Sequence, residues 1–159
     1  MEDPMADMNL GSLLDKAIKN EEDAHTFYMN LHGIVSDADA KSTLLFLADQ
    51  EKKHKEFLVA YKSGSYANKA LAANTAIDYA IAQYVDAPDI EKNMKTKDVY
   101  LVAAHRELNS YNFYKGLAAV QPAGEVKDML VRMADEELKH KEKVEYLYAN
   151  SAFPQTEGG

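Results

Sequence analysis

Six side chains able to bind a cation fall where helices would turn them inward: Glu21, Glu51, His54, Glu107, Glu137 and His140. Alternating steps of three and four residues trace one face of a helix. In the first such segment that face is Leu10, Leu14, Ala17, Glu21, Ala24, Tyr28 and Leu31. The second gives Ala40, Leu44, Leu47, Glu51, His54, Leu58 and Tyr61. The third gives Tyr100, Ala103, Glu107, Ser110, Tyr114 and Leu117, and the fourth Val126, Leu130, Met133, Glu137, His140, Val144 and Leu147. A glutamate breaks each apolar stripe near its middle, and in two stripes a histidine follows three residues on. That spacing is about 4.5 Å of rise, so both side chains project toward one point.

Four carboxylates cannot stay ionised together in a low-dielectric core. Each unpaired charge costs several kcal/mol, and no Lys or Arg lies on the stripes to offset it. Two divalent cations would bring four glutamates and two neutral histidines to zero charge. Oxygen-rich ligation with one imidazole per metal suits iron or manganese better than structural zinc. One glutamate from each of two helices, with Glu-x-x-His from each of the others, is a ligand pattern of di-metal bundle cores. A single Glu-x-x-His carries little weight, as Glu22…His25 shows, because Glu22 lies off the stripe. His25 is one turn from Glu21 and is a candidate flank of the site. His32 and His105 read as surface or flank residues. Lys52, Lys53 and Lys55, with Lys139, Lys141 and Lys143, read as a solvated outer face.

The elements that must position these groups form an internal repeat. A shift of 86 residues lays Ala17–Lys62 on Ala103–Tyr148 without a gap, matching Glu21 to Glu107, Glu51 to Glu137 and His54 to His140. Each copy reads as a helical hairpin. The expected helices span about 10–32, 39–62, 98–120 and 125–150, with Asp39 as a helix N-cap and stop signals at Gly33 and Gly64. A crossover, 63–97, joins the copies, and its Leu71–Val85 stretch predicts a shorter helix. The tails, 1–9 and 151–159, are expected to fray. The fold class is all-α, a four-helix bundle in one domain, 1–159, with a long crossover between the second and third helices.

Composition narrows the field further. At 159 residues and a formal net charge of −8, the chain suits one acidic domain that repels nucleic acid and anionic lipid. It contains no Cys, which excludes disulfides, thiol catalysis and Cys-ligated metal within it. No apolar run approaches a membrane span and the acidic start is unlike a signal peptide, so a cytoplasmic setting is expected.

The chain resembles the rubrerythrin branch of the ferritin-like superfamily. The resemblance rests on Ala17, Glu21, Ala24, Phe27 and Tyr28, on Leu47 to His54, and on their second copies in Ala103 to Tyr114 and Met133 to His140. It implies two iron ions (manganese or a mixed Mn/Fe pair being alternatives) bridged by Glu51 and Glu137. Glu21 and His54 would complete one coordination sphere, Glu107 and His140 the other. Tyr28 and Tyr114 would hydrogen-bond the ligands, and Gln50 and Glu136 would orient the histidine of the opposite hairpin. The implied activity is that of a di-iron oxidoreductase, a peroxidase or oxidase acting in oxidative stress. Hydrogen peroxide or dioxygen would be reduced at the di-metal centre itself, with electrons from an external donor protein. The alternative is a ferritin-like ferroxidase for iron storage or detoxification. Two features depart from rubrerythrins: the chain has no four-cysteine rubredoxin-type module, and Ala104 and Ser110 stand beside Glu107 where a further carboxylate is usual. A homodimer is expected, with hairpin exchange as a variant, because Phe27, Phe46, Phe57 and Phe113 read as an exposed apolar flank.

Overall fold

The computed structural model describes residues 9–64, 87–90 and 94–152. Four helices account for most of them: α1 (Leu10–Ile34), α2 (Ala38–Lys62), α3 (Thr96–Ala119) and α4 (Glu125–Ala152). Local chemistry sets several boundaries. The Asn9 side chain accepts from the Ser12 amide at 2.8 Å and opens α1. Asp37 does the same for the Ala40 amide at 2.9 Å, so α2 begins at Ala38, one residue before the expected start, and its cap is Asp37, not Asp39. Gly33 does not stop α1, which runs on to Ile34 and ends with the Val35 amide bonded to the Leu31 carbonyl. Gly64 has φ 84°, the left-handed conformation that lets the chain leave α2 without a Cβ clash. At the far end Ser151 and Ala152 belong to α4 instead of a frayed tail. The expected connector helix Leu71–Val85 and the outermost tails lie outside the described residues.

The short links make α1/α2 and α3/α4 antiparallel partners, and α3 also touches α1 and α2. Side chains from the four inward stripes fill the bundle as two apolar clusters. One gathers Ala24, Tyr28, Leu31, Leu44, Val99 and Val144; the other gathers Leu14, Leu58, Tyr114, Leu117, Leu130 and Met133. The six polar stripe residues lie between them along the helices. Leu44 and Leu130, fully buried on opposite sides of that layer, are expected to cost about 2–5 kcal/mol each when cut to Ala, measured by denaturant unfolding.

Two expected faces need correction. Leu10 is 46% exposed, so the α1 stripe starts at Leu13 and Leu14. Of the four phenylalanines expected on the flank, Phe46 is exposed, whereas Phe27, Phe57 and Phe113 are half-buried against the clusters. Each of these three rings lies against a tyrosine of its own helix, Tyr28, Tyr61 and Tyr114 respectively. No helix among the described residues is long and apolar enough to cross a membrane.

Candidate metal centre

All six stripe groups converge. Glu21, Glu51, Glu107 and Glu137 are at most 1% exposed, and His54 and His140 are 4% and 5%. Helix periodicity places one glutamate per helix at this depth, and the α2 and α4 histidines follow one turn on. The two imidazoles stack, with ring centroids 5.3 Å apart and planes 11° from parallel. Glu21, Glu51, His54 and Glu137 bring one potential ligand atom each within 4.8 Å of one another. Glu51, Glu107, Glu137 and His140 form a second such tetrad, so Glu51 and Glu137 are common to both.

Hydrogen bonding leaves this cluster conspicuously incomplete. His54 Nδ1 lies 2.8 Å from Glu137 Oε1 across the hairpin boundary. His140 Nδ1 lies 3.3 Å from Glu51 Oε1 but is not aligned for a hydrogen bond. Glu21 Oε2, both oxygens of Glu51, Glu107 Oε2, Glu137 Oε2 and His140 Nδ1 have no partner. A buried carboxylate oxygen without a partner is strongly destabilising, and the great majority of buried polar atoms are satisfied. These orphaned atoms all belong to the two tetrads, and they are hard oxygen and imidazole donors. The donor set fits divalent metal.

The proton balance points the same way. Burial pushes the Glu21 carboxyl well up, with the Glu51 charge adding to it. Burial does the same at Glu137, reinforced by Glu51, Glu107 and Glu21. At Glu51 burial also pushes upward, but the close approach of Glu21, His140 and His54 outweighs it and holds the group well below the usual carboxylate range. Burial disfavours charged imidazole, yet Glu137, Glu21 and Glu51 hold His54 well above its ordinary value. Against the same burial, Glu107 and Glu51 hold His140 up at about 9.

Two tyrosines tie the terminal glutamates crosswise. Tyr28 on α1 donates to Glu107 Oε1 on α3 at 2.8 Å, and Tyr114 on α3 donates to Glu21 Oε1 on α1. Both rings are fully buried, and burial first, then the nearby carboxylates, pushes their hydroxyls well up, so they stay protonated as donors. Tyr114→Phe is expected to cost about 1–3 kcal/mol in unfolding free energy, because Glu21 Oε1 loses its donor.

The supporting positions are less uniform. Glu136 can bring an oxygen within 4.8 Å of nitrogens of both His54 and His140, but its hydrogen bond is to Lys139 at 3.0 Å. Gln50 is half-buried and takes no part in the hydrogen bonding of the six groups. Ala104 and Ser110, beside Glu107, are both buried; the Ser110 hydroxyl accepts from Arg106 Nη1 at 2.8 Å. Arg106 also donates to the Asn20 carbonyl at 3.3 Å, clamping α3 to α1. His25 lies at the mouth of a groove that reaches Glu21 and Glu51. His32 and His105 are half-buried and belong to neither tetrad.

Lys141 is not on a solvated face. It is fully buried and bonds Glu145, also fully buried, at 2.9 Å. The i, i+4 spacing of Lys141 and Glu145 could have flagged the pair, but an exposed pair has the same spacing. Arg106 carries no sequence signal that separates it from a surface arginine.

Among curated proteins none is significantly similar to the chain. A solved structure of a hypothetical protein from Pyrococcus furiosus is similar at a TM-score of 0.61 and 24% identity, covering 96% of each chain. That likeness concerns the fold. The rubrerythrin family model matches residues 12–148, a span that contains all four helix centres and all six inward ligand candidates. With its ferritin-like four-helix bundle and clustered glutamates and histidines, the chain belongs to the rubrerythrin family.

Proposed function

We propose that the protein is a di-iron oxidoreductase that reduces hydrogen peroxide or dioxygen with electrons from an external donor protein. The observation that carries this reading is the pair of tetrads sharing Glu51 and Glu137, with orphaned oxygens between them. Glu51 and Glu137, common to both tetrads, would hold both metals, with Glu21 and His54 serving one and Glu107 and His140 the other. Two ferrous ions held there would together supply two electrons, enough to take peroxide to water or dioxygen to peroxide.

The chain's own contribution is positional. Tyr28 and Tyr114 fix one oxygen of Glu107 and of Glu21, leaving the other oxygen of each free toward the centre. Apolar clusters on both sides exclude bulk water from the layer of carboxylates. Ser110, held by Arg106, offers a hydroxyl where rubrerythrins usually have another carboxylate, which favours a fixed ligand set over one that exchanges glutamates. With no Cys in the chain, electrons arrive from outside it.

Stopped-flow mixing tests the reading. The iron-loaded, reduced protein is expected to be oxidised faster by peroxide than by dioxygen at equal concentration. Faster oxidation by dioxygen, with retention of the ferric product in a large hollow assembly, would instead support a ferroxidase.

A further inference from the structure

The two hairpins repeat their ligands but not the walls around them. On the first hairpin a cavity of about 350 Å³ lies between α1 and α2, lined by Glu21, Glu22, His25, Glu51, Lys52 and Lys55. Its rim is solvent-exposed: the Glu22 and Lys55 side chains are 46% and 43% exposed and pair at 3.3 Å. Its floor is Glu21 and Glu51, which carry three orphaned carboxylate oxygens, Glu21 Oε2 and both oxygens of Glu51.

The repeat supplies an internal comparison. Shifted by 86 residues, Glu22, His25, Lys52 and Lys55 become Leu108, Tyr111, Leu138 and Lys141. Leu108 and Tyr111 pack against the apolar clusters, Leu138 is half-buried, and Lys141 is fully buried. At these four positions the register is therefore polar and open on one hairpin, whereas on the other three residues are apolar or aromatic and partly covered and the fourth, Lys141, is buried.

We propose that the α1/α2 groove is the entrance by which hydrated divalent cations reach the buried carboxylates, with Glu22 and His25 as a transit pair at its mouth. The inference rests on the metal-centre reading and adds a route to it. Glu22 and His25 are three residues apart on α1, so a carboxylate and an imidazole face the same side of the helix. The ion pair with Lys55 is exposed, and such pairs contribute little, so Glu22 can turn from Lys55 to a cation. From there the next oxygen donors inward are those of Glu21 and Glu51. Lys55 has a defined sign in this arrangement: it competes for Glu22 and repels an incoming cation.

The test follows the rate at which Co²⁺ alone is taken up by the full chain, read by quenching of tyrosine fluorescence. Tyr28 and Tyr114, bonded to Glu107 and Glu21, are the reporters. Glu22→Gln is expected to slow uptake at least about threefold, and Lys55→Met to accelerate it by a similar factor. Glu22→Leu/Lys52→Leu, which installs the second hairpin's residues, is expected to slow uptake at least about tenfold. All three should reach the wild-type stoichiometry at equilibrium. Asp23→Asn makes the same charge change as Glu22→Gln outside the groove and should leave the rate unchanged. Wild-type rates in all three groove variants would overturn the entrance while leaving the metal centre intact. No Co²⁺ uptake by the wild type would overturn both. Glu22→Gln and Lys55→Met alter exposed side chains, so they carry the test even if the double leucine variant does not fold.

Discussion

Glu137→Gln is expected to make the metal-free protein more stable than wild type and the metal-loaded protein less stable. Glu137 is fully buried, and burial together with Glu51, Glu107 and Glu21 pushes its carboxyl well up. At neutral pH the folded chain must therefore either hold a proton there or tolerate the charge, whereas the unfolded chain does neither. Gln keeps the shape and an oxygen that accepts from His54 Nδ1, but carries no charge. The expected gain in the metal-free protein is roughly 1–3 kcal/mol, by analogy with neutralising other buried charge clusters. Its pH dependence follows from the sign of the shift. A raised acid destabilises the fold above its unfolded value, about 4.3 for Glu, so the advantage of Gln opens as pH rises past that point and vanishes below it. Metal reverses the order. A ligand that binds only the folded state at a thousand times its Kd adds about 4 kcal/mol, and the variant, lacking one of the two carboxylates common to both tetrads, forgoes most of this. Denaturant melts with and without added Mn²⁺ check both halves. A variant that is less stable than wild type without metal and gains equally from Mn²⁺ would contradict the electrostatic account.

Lys141→Ala is expected to destabilise the fold by about 3–5 kcal/mol, the usual cost of breaking a buried ion pair. Lys141 and Glu145 are both fully buried and bond at 2.9 Å, so truncation removes the cation paired with a carboxylate held away from water. The repeat provides the control. Lys55, the counterpart of Lys141, pairs with Glu22 at the surface, and Lys55→Ala should cost less than about 1 kcal/mol. Replacing both partners, Lys141→Met with Glu145→Gln, should recover most of the loss. Equal effects at positions 55 and 141 in urea melts would show that burial is not what separates them.

Much of the architecture was legible because the polar interruptions and the repeat reinforce each other. A glutamate in one apolar stripe is ambiguous, but Glu21, Glu51, Glu107 and Glu137 recur in a single register with His54 and His140, which fixes both the inward faces and the common depth. The crosswise tyrosines were visible as a pairing of residue types; that each bonds the glutamate of the other hairpin depends on tertiary packing that no local spacing encodes. Helix ends were less legible. Asp37 and Asp39 are chemically equivalent caps, and only the backbone turn at Asp37 selects between them. Burial of charge was least legible. Lys141 sits one position beyond His140, a rotation of about 100° from the inward stripe, which marks a flank but not whether the flank is covered. Its counterpart Lys55 shows the same sequence pattern with the opposite outcome. The groove was beyond the sequence for the same reason: His25 was singled out by its turn from Glu21, but its opening depends on how far α1 and α2 stand apart.

The central claim is that two cations neutralise the carboxylates gathered between the apolar clusters. Metal analysis of protein loaded anaerobically with Fe²⁺ and freed of excess tests it most directly, on the wild type and on Glu51→Ala and Glu137→Ala. About two irons per chain in the wild type, with most of that content lost in either variant, is the result the account predicts. Less than one iron per chain in the wild type, or the same content in all three proteins, would contradict it.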